Sequence, residues 1–197
     1  MELHLVRHGV TSETGSRLTG RLPGVALSAS GEDQAGAAAG HLSGRKVGAV
    51  YSSPVERCRQ TADIIAKELG HKVRIEKRVQ EVDYGKWQGR TLSSLQKLKA
   101  WRGLFVAPAR FRFPDGETLQ EAQSRAVAAI EHLAGRHPRD RVIVVSHADI
   151  IRVLLAHYLG MPLDMVHRLD VRPASVSTVI LNEGAFPMVP VINHQTS

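Results

Sequence analysis

ELHLVRHG at residues 2–9 and RVIVVSHADIIR at residues 141–152 decide the fold. Each opens as a short apolar run and closes on a histidine, His8 or His147. VIVV at 142–145 is apolar without alternation, the pattern of a strand buried on both faces. Strands alternate with helices around these two segments. Ser28 or Ser30 caps an Ala-rich helix over 30–42. VGAVYSS at 47–53 is a second strand. Pro54 then occupies the first turn of a helix that runs to Leu69 and stops at Gly70. HKVRIE at 71–76 is a third strand, 78–92 is a loop, and a helical segment lies within 92–104. A long helix from Glu117 to Leu133 is capped by Asp115, although Asp115-Gly116 also fits a plain turn. After RVIVVS comes a helix over 149–159 that ends at Gly160. SVSTVIL at 175–181 is the final strand, and the chain beyond 185 reads as irregular surface.

This alternation predicts an α/β fold, a three-layer α/β/α sandwich around a mostly parallel central sheet. Residues 1–197 are read as a single domain with a small cap-like insert around 90–114. Such a sheet binds its ligand at the carboxyl ends of its strands. Two ends stand out, Arg7-His8-Gly9 and Ser146-His147. A third, Ser52-Ser53-Pro54, leads within one helical turn to Arg57.

Composition narrows the chemistry. The chain has 197 residues, of which 43% are apolar and 23% charged. That is ordinary globular composition. Its single cysteine, Cys58, excludes a disulfide framework and a cysteine metal site. Cys58 itself reads as a small buried filler on its helix. The opening MELHLVRH is charged at once and does not resemble a signal peptide. No apolar run approaches the roughly 18 residues of a membrane span, so a cytoplasmic protein with no membrane partner is expected. The formal charge of +7 comes without any dense Lys/Arg block, and aromatics are only 5%, which argues against nucleic acid. There is no HExxH pattern, no P-loop and no dinucleotide fingerprint, so neither a metal nor a cofactor is expected. His8, His147, Arg7 and Arg57 in one crevice would repel one another when empty. They suit a dianion such as phosphate, with the arginines as planar donors and a histidine as nucleophile.

LVRHG at 5–9 resembles the signature of the histidine phosphatase superfamily, which includes the phosphoglycerate mutase-like enzymes. SSPVERCRQTA at 52–62 is similar to that family's second motif, EVDYGKWQG at 81–89 to the stretch carrying its acidic residue, FPDGET at 113–118 to the start of its long helix, and VVSHADIIR at 144–152 to the strand delivering its second histidine. The motifs occur in family order. The resemblance implies a catalytic set of His8, Arg7, Arg57, Glu81 and His147. His8 attacks phosphorus and becomes phosphohistidine, with Gly9 O receiving the other ring N–H. Arg7, Arg57 and His147 hold the transferring oxygens. Glu81 protonates the leaving alcohol, for which its pKa must stand above the ordinary value. The arginines pull that pKa down, and only bound phosphate is expected to offset them. Gly9, Thr11, Thr14, Arg17, Gly20 and Ala148 are expected to line the substrate. Ala148-Asp149 departs from the glycine pair many relatives carry. Asp149 either caps the following helix or adds negative charge near the pocket.

The implied activity is an acid phosphatase-type phosphomonoesterase acting on a small phosphorylated anionic metabolite. A cofactor-dependent phosphoglycerate mutase or other phosphomutase, using the same His8, is the alternative, followed by a non-catalytic phosphate-binding module. Only residues 90–113 separate Gly89 from Pro114, shorter than in glycolytic mutases, which favours the phosphatase. Homodimerisation through an edge strand or the 149–159 helix is left open.

Overall fold

The computed structural model describes residues 1–44 and 46–196. The strands are β1 (Glu2–Arg7), β2 (Ala49–Ser52), β3 (Val73–Ile75), β4 (Arg141–Ser146), β5 (Val176–Ile180) and β6 (Met188–His194). The helices are α1 (Ala29–Ser43), α2 (Glu56–Glu68), α3 (Leu92–Leu95), α4 (Lys99–Val106), α5 (Leu119–Arg136) and α6 (Ala148–Tyr158). The sheet runs β3-β2-β4-β1-β5-β6. β3, β2, β4 and β1 are mutually parallel, while β5 and β6 are antiparallel additions at one edge.

Successive residues of a strand point to opposite faces, and both faces here are covered. Leu3, Leu5, Val142 and Val144 pack with Ile130 and Leu133 of α5 and with Ile150 and Leu154 of α6. Val6, Ile143 and Val145 pack with Ala38 and Leu42 of α1 and with Ala62 and Ile65 of α2. The unbroken apolar run at 142–145 is therefore two interleaved half-patterns, one for each layer. The three-layer α/β architecture is as expected.

Four local readings are corrected. Residues beyond 185 are not wholly irregular: Met188–His194 forms β6 against β5, with Val176 opposite His194 and Thr178 opposite Val191. Pro190 and mostly exposed side chains hid it, and an edge strand tolerates both. Thr118, not Asp115, caps α5, in a capping box closed by Glu121. Asp115 sits at φ 57° in the turn before it. Pro54 precedes the α2 cap, Val55, rather than lying in the first turn. The segment within 92–104 is two helices, α3 and α4. Among the described residues no helix is long and apolar enough to cross a membrane.

Candidate active site

The register of β1 on β4 sets Arg7 opposite Ser146, so the residues that follow each strand emerge side by side. His8 N donates to Ser146 O at 3.0 Å, and the His8 and His147 rings stand edge to face with centroids 5.4 Å apart. β2 ends on the other side of β4, where Ser53 N donates to Val145 O at 3.0 Å. α2 rises from that point and carries Arg57 in its first turn. Three strand ends and one helix start thus converge at the carboxyl edge of the parallel strands.

Gly9 lets the β1 exit pass directly over α1. A Cβ at Gly9 would lie 2.3 Å from the backbone oxygen of Gly31, so a side chain there collides with the first turn of the helix. Gly20 holds φ 54° and turns its carbonyl toward Arg57 Nη2, which donates to it at 2.7 Å.

The hydrogen bonds fix the His8 tautomer. Nδ1 lies 2.8 Å from Gly9 O, an acceptor only, so Nδ1 carries the proton. Nε2 holds the lone pair and accepts from Arg57 Nε at 3.0 Å. Burial first, then Arg57 and Arg7, keep the His8 pKa well below 6.5. The ring is neutral at pH 7. His147 is likewise held well below 6.5 by burial, Arg57 and His8. Its Nδ1 accepts from Arg57 Nη2 at 3.1 Å, and its Nε2 faces Ser53 Oγ at 2.8 Å. His147 is 0% exposed and stands behind Arg57 rather than in the cavity wall.

A cavity of about 250 Å³ opens over His8. Arg7, Arg57, Glu81, Thr11, Thr14, Arg17, Gly20 and Ala148 line it. Gly9 does not reach it; its carbonyl is occupied by the His8 ring. Two buried guanidinium nitrogens here, Arg7 Nε and Arg57 Nη1, have no hydrogen-bond partner among the described residues. An unpaired buried charged donor costs more than the ~1–3 kcal/mol of a neutral one, so this arrangement fits an anionic ligand that accepts from both.

Glu81 stands on the loop after β3 and is buried. Its carboxyl is pushed up to about 7, by burial first and by the Asp149 carboxylate second, against the pull of the Val82 N–H, Arg57 and Arg7. The expectation that only bound phosphate offsets the arginines is therefore corrected. The loop is clamped from behind: Arg21 Nε and Arg125 Nη2 both donate to Glu81 O, at 2.7 and 3.1 Å. Glu117 Oε1 accepts from the same two arginines and from Asp83 N.

Several of these residues were not singled out from sequence. Asp149 does not cap α6, whose N-cap is His147; the other expectation for it, negative charge near the pocket, holds, since it lines the cavity. It accepts from Tyr84 Oη at 2.7 Å and pairs with Arg152 at 2.8 Å. Burial raises its pKa, but Arg152 and Tyr84 more than offset this and hold it below the usual value. Tyr84, Arg152 and Glu13 also line the cavity, and Ser53, Glu117 and Arg125 brace it. The i,i+3 spacing of Asp149 and Arg152 is the one signal that the sequence offered. Cys58 is buried as expected, and burial pushes its thiol far above its ordinary pKa. Trp87 is buried in an aromatic cluster with Trp101, Phe111 and Phe113, which seats the 90–114 segment.

Known proteins resemble this chain in sequence and fold. An Escherichia coli protein named as a probable phosphoglycerate mutase, GpmB, is 31% identical over 185 residues, 93% of this chain and 86% of its own. The solved mycobacterial glucosyl-3-phosphoglycerate phosphatase superposes with a TM-score of 0.86 at 26% identity, covering 98% of both chains. YhfR of Bacillus stearothermophilus gives 0.91 at 25% identity over 98% of this chain and 96% of its own. The family model that matches spans residues 3–193 and so takes in both strand-end histidines, Arg57 and Glu81. On that match the chain belongs to the histidine phosphatase superfamily, branch 1.

Proposed function

We propose that the chain is a phosphomonoester hydrolase that acts on a small phosphorylated metabolite through a phosphohistidine on His8, with Glu81 as proton donor. The observation that carries this reading is the His8 ring. Its Nδ1–H is taken by Gly9 O, so its lone pair stands at Nε2 on the Arg57 side of the cavity. A neutral imidazole beside two arginines is a nucleophile aimed at a dianion.

The Nε2 lone pair attacks phosphorus in line, and the ester P–O bond breaks. The leaving oxygen takes the Glu81 proton, which a pKa of about 7 makes available. Water then gives a proton to the Glu81 carboxylate and attacks phosphorus. The P–N bond breaks, and its electron pair returns to Nε2. Arg7 and Arg57 stabilise the charge on the transferring oxygens. His147 holds the Arg57 guanidinium. Its Nδ1 accepts from Arg57 Nη2 while Ser53 Oγ sits 2.8 Å from its Nε2, which fixes the ring that holds the guanidinium.

The test is a base quench of the protein mixed with a radiolabelled phosphomonoester. Base-stable, acid-labile label is expected on the wild type and none on His8→Ala. No label and no turnover in the folded wild type would overturn the reading. Isomerisation of 3-phosphoglycerate with added 2,3-bisphosphoglycerate, outpacing phosphate release, would assign a mutase instead.

A further inference from the structure

Four arginines line the cavity over His8: Arg7, Arg17, Arg57 and Arg152. They divide into two kinds. Arg7 and Arg57 have no ion pair among the described residues, and each keeps a buried nitrogen without a partner. Arg17 and Arg152 are already matched by carboxylates. Arg17 Nε pairs with Glu13 at 3.0 Å, and its Nη1 donates to Gly89 O. Arg152 Nη1 pairs with Asp149 at 2.8 Å, and its Nε donates to Leu169 O at 2.9 Å. No lysine lines the cavity.

Two unmatched cations suit one phosphate dianion. The rest of the substrate meets a wall whose charges cancel. The remaining polar groups there are hydroxyls, those of Thr11, Thr14, Thr19 and Tyr84. A carboxylate on the leaving group can reach the remaining Nη2 groups of Arg17 and Arg152, but it meets there cations whose charge Glu13 and Asp149 already offset. Glu13 is the weaker obstacle, because its pair with Arg17 is a third or more exposed and therefore screened. The Asp149–Arg152 pair is more buried, at 20% and 24% side-chain exposure, and Tyr84 Oη holds the second Asp149 oxygen. A hydroxyl on the leaving group brings no charge to these walls and can exchange hydrogen bonds with the threonine hydroxyls, which already bond one another and nearby backbone.

We infer that this site selects phosphomonoesters of small uncharged, hydroxyl-bearing alcohols and discriminates against leaving groups that carry a second anion. The inference rests on the phosphomonoesterase reading and deepens it. It also bears on the mutase alternative, since a bisphosphate brings a second dianion to walls with no unmatched cation.

The test is a matched pair, glycerol 3-phosphate and 3-phosphoglycerate, which differ by a hydroxymethyl group in place of a carboxylate. Both are read as kcat/KM at pH 7. Both are also read as inhibition constants against p-nitrophenyl phosphate, so that slow turnover still returns a ratio. The wild type is expected to favour the glycerol ester by roughly 10-fold or more, from like-charge repulsion in a partly buried site. Asp149→Asn frees Arg152 and should move the ratio toward 3-phosphoglycerate. Arg152→Gln leaves Asp149 unmatched and should move it the other way, and this variant serves if the first does not fold. Equal or better use of 3-phosphoglycerate by the wild type overturns the inference, as does a ratio that neither substitution moves. If p-nitrophenyl phosphate itself is not hydrolysed, the phosphomonoesterase reading is what fails.

Discussion

Asp149→Asn should shift the alkaline limb of the pH–rate profile toward acid. Glu81 donates a proton, so the reaction of an alkyl phosphate needs its protonated form, and the rate falls as pH rises through about 7. At pH 8 about one tenth of the enzyme keeps that proton, a loss of roughly 10-fold from the plateau. The acid limb lies below 6.5, because burial beside Arg57 and Arg7 keeps His8 neutral. After burial, the Asp149 carboxylate is the largest cause holding the Glu81 proton. Glu81 and Asp149 line the same cavity. A like charge there, partly offset by Arg152, at an effective dielectric near 20 is worth about 1 kcal/mol. At about 1.36 kcal/mol per decade, the limb moves toward acid by about 0.7 pH unit. Freed Arg152 acts in the same direction. At pH 7 the protonated fraction drops from one half to about one sixth, so kcat/KM for glycerol 3-phosphate falls about 3-fold. With p-nitrophenyl phosphate, whose leaving group needs no proton, the limb should be nearly absent in both proteins. A variant whose alkyl-ester limb stays at the wild-type pH would refute the electrostatic coupling of these two carboxyls.

Three further outcomes are expected. Arg57→Ala removes the donor shared by His8, Gly20 and His147 and should lower kcat by roughly 10²–10³, read in steady-state assays. Gly9→Ala drives a methyl group to within 2.3 Å of Gly31 O and should cost about 1–3 kcal/mol in urea denaturation, because the obstacle is backbone. Glu81→Gln should stabilise the fold increasingly from pH 4.5 to about 7, and by a constant amount above that. The folded pKa of about 7 exceeds the unfolded 4.5, so the native state binds more protons in between and the wild type loses stability over that range, by roughly 3 kcal/mol at most. A difference between wild type and variant that is the same at pH 5 and pH 8.5 would contradict this.

The sheet was legible because parallel strands buried on both faces leave a strong signal. VIVV at 142–145 has no polar break, and α2 and α6 begin within a few residues of β2 and β4. β6 was not legible for the opposite reason: Met188–His194 is an edge strand with Pro190 and exposed side chains, and β5 is its strand partner. Asp115 misled because it stands four residues before α5 and is a common cap type, while the true cap, Thr118 with Glu121, begins three residues further on. His8, His147 and Arg57 were legible as a group because strand ends of a parallel sheet lie together whatever the loops do.

What the sequence did not carry is the sign of the charge around Glu81. Counting arginines near it gives a depressed pKa. The structure gives a raised one, because burial dominates and because Asp149, far along the chain, faces the same cavity. Long-range placement of one carboxylate thus decides two separate properties. It helps to keep a proton on Glu81, and it cancels Arg152 where the leaving group would sit. The two can be separated experimentally. The glycerol 3-phosphate to 3-phosphoglycerate ratio at one pH compares esters that need the same Glu81 proton, so the proton cancels from it. The position of the alkaline limb with one neutral ester contains no leaving-group charge. If Asp149→Asn moves the ratio but not the limb, Asp149 acts on the substrate alone. If it moves the limb but not the ratio, Arg152 does not reach the leaving group, and the charge on that wall serves Glu81 only.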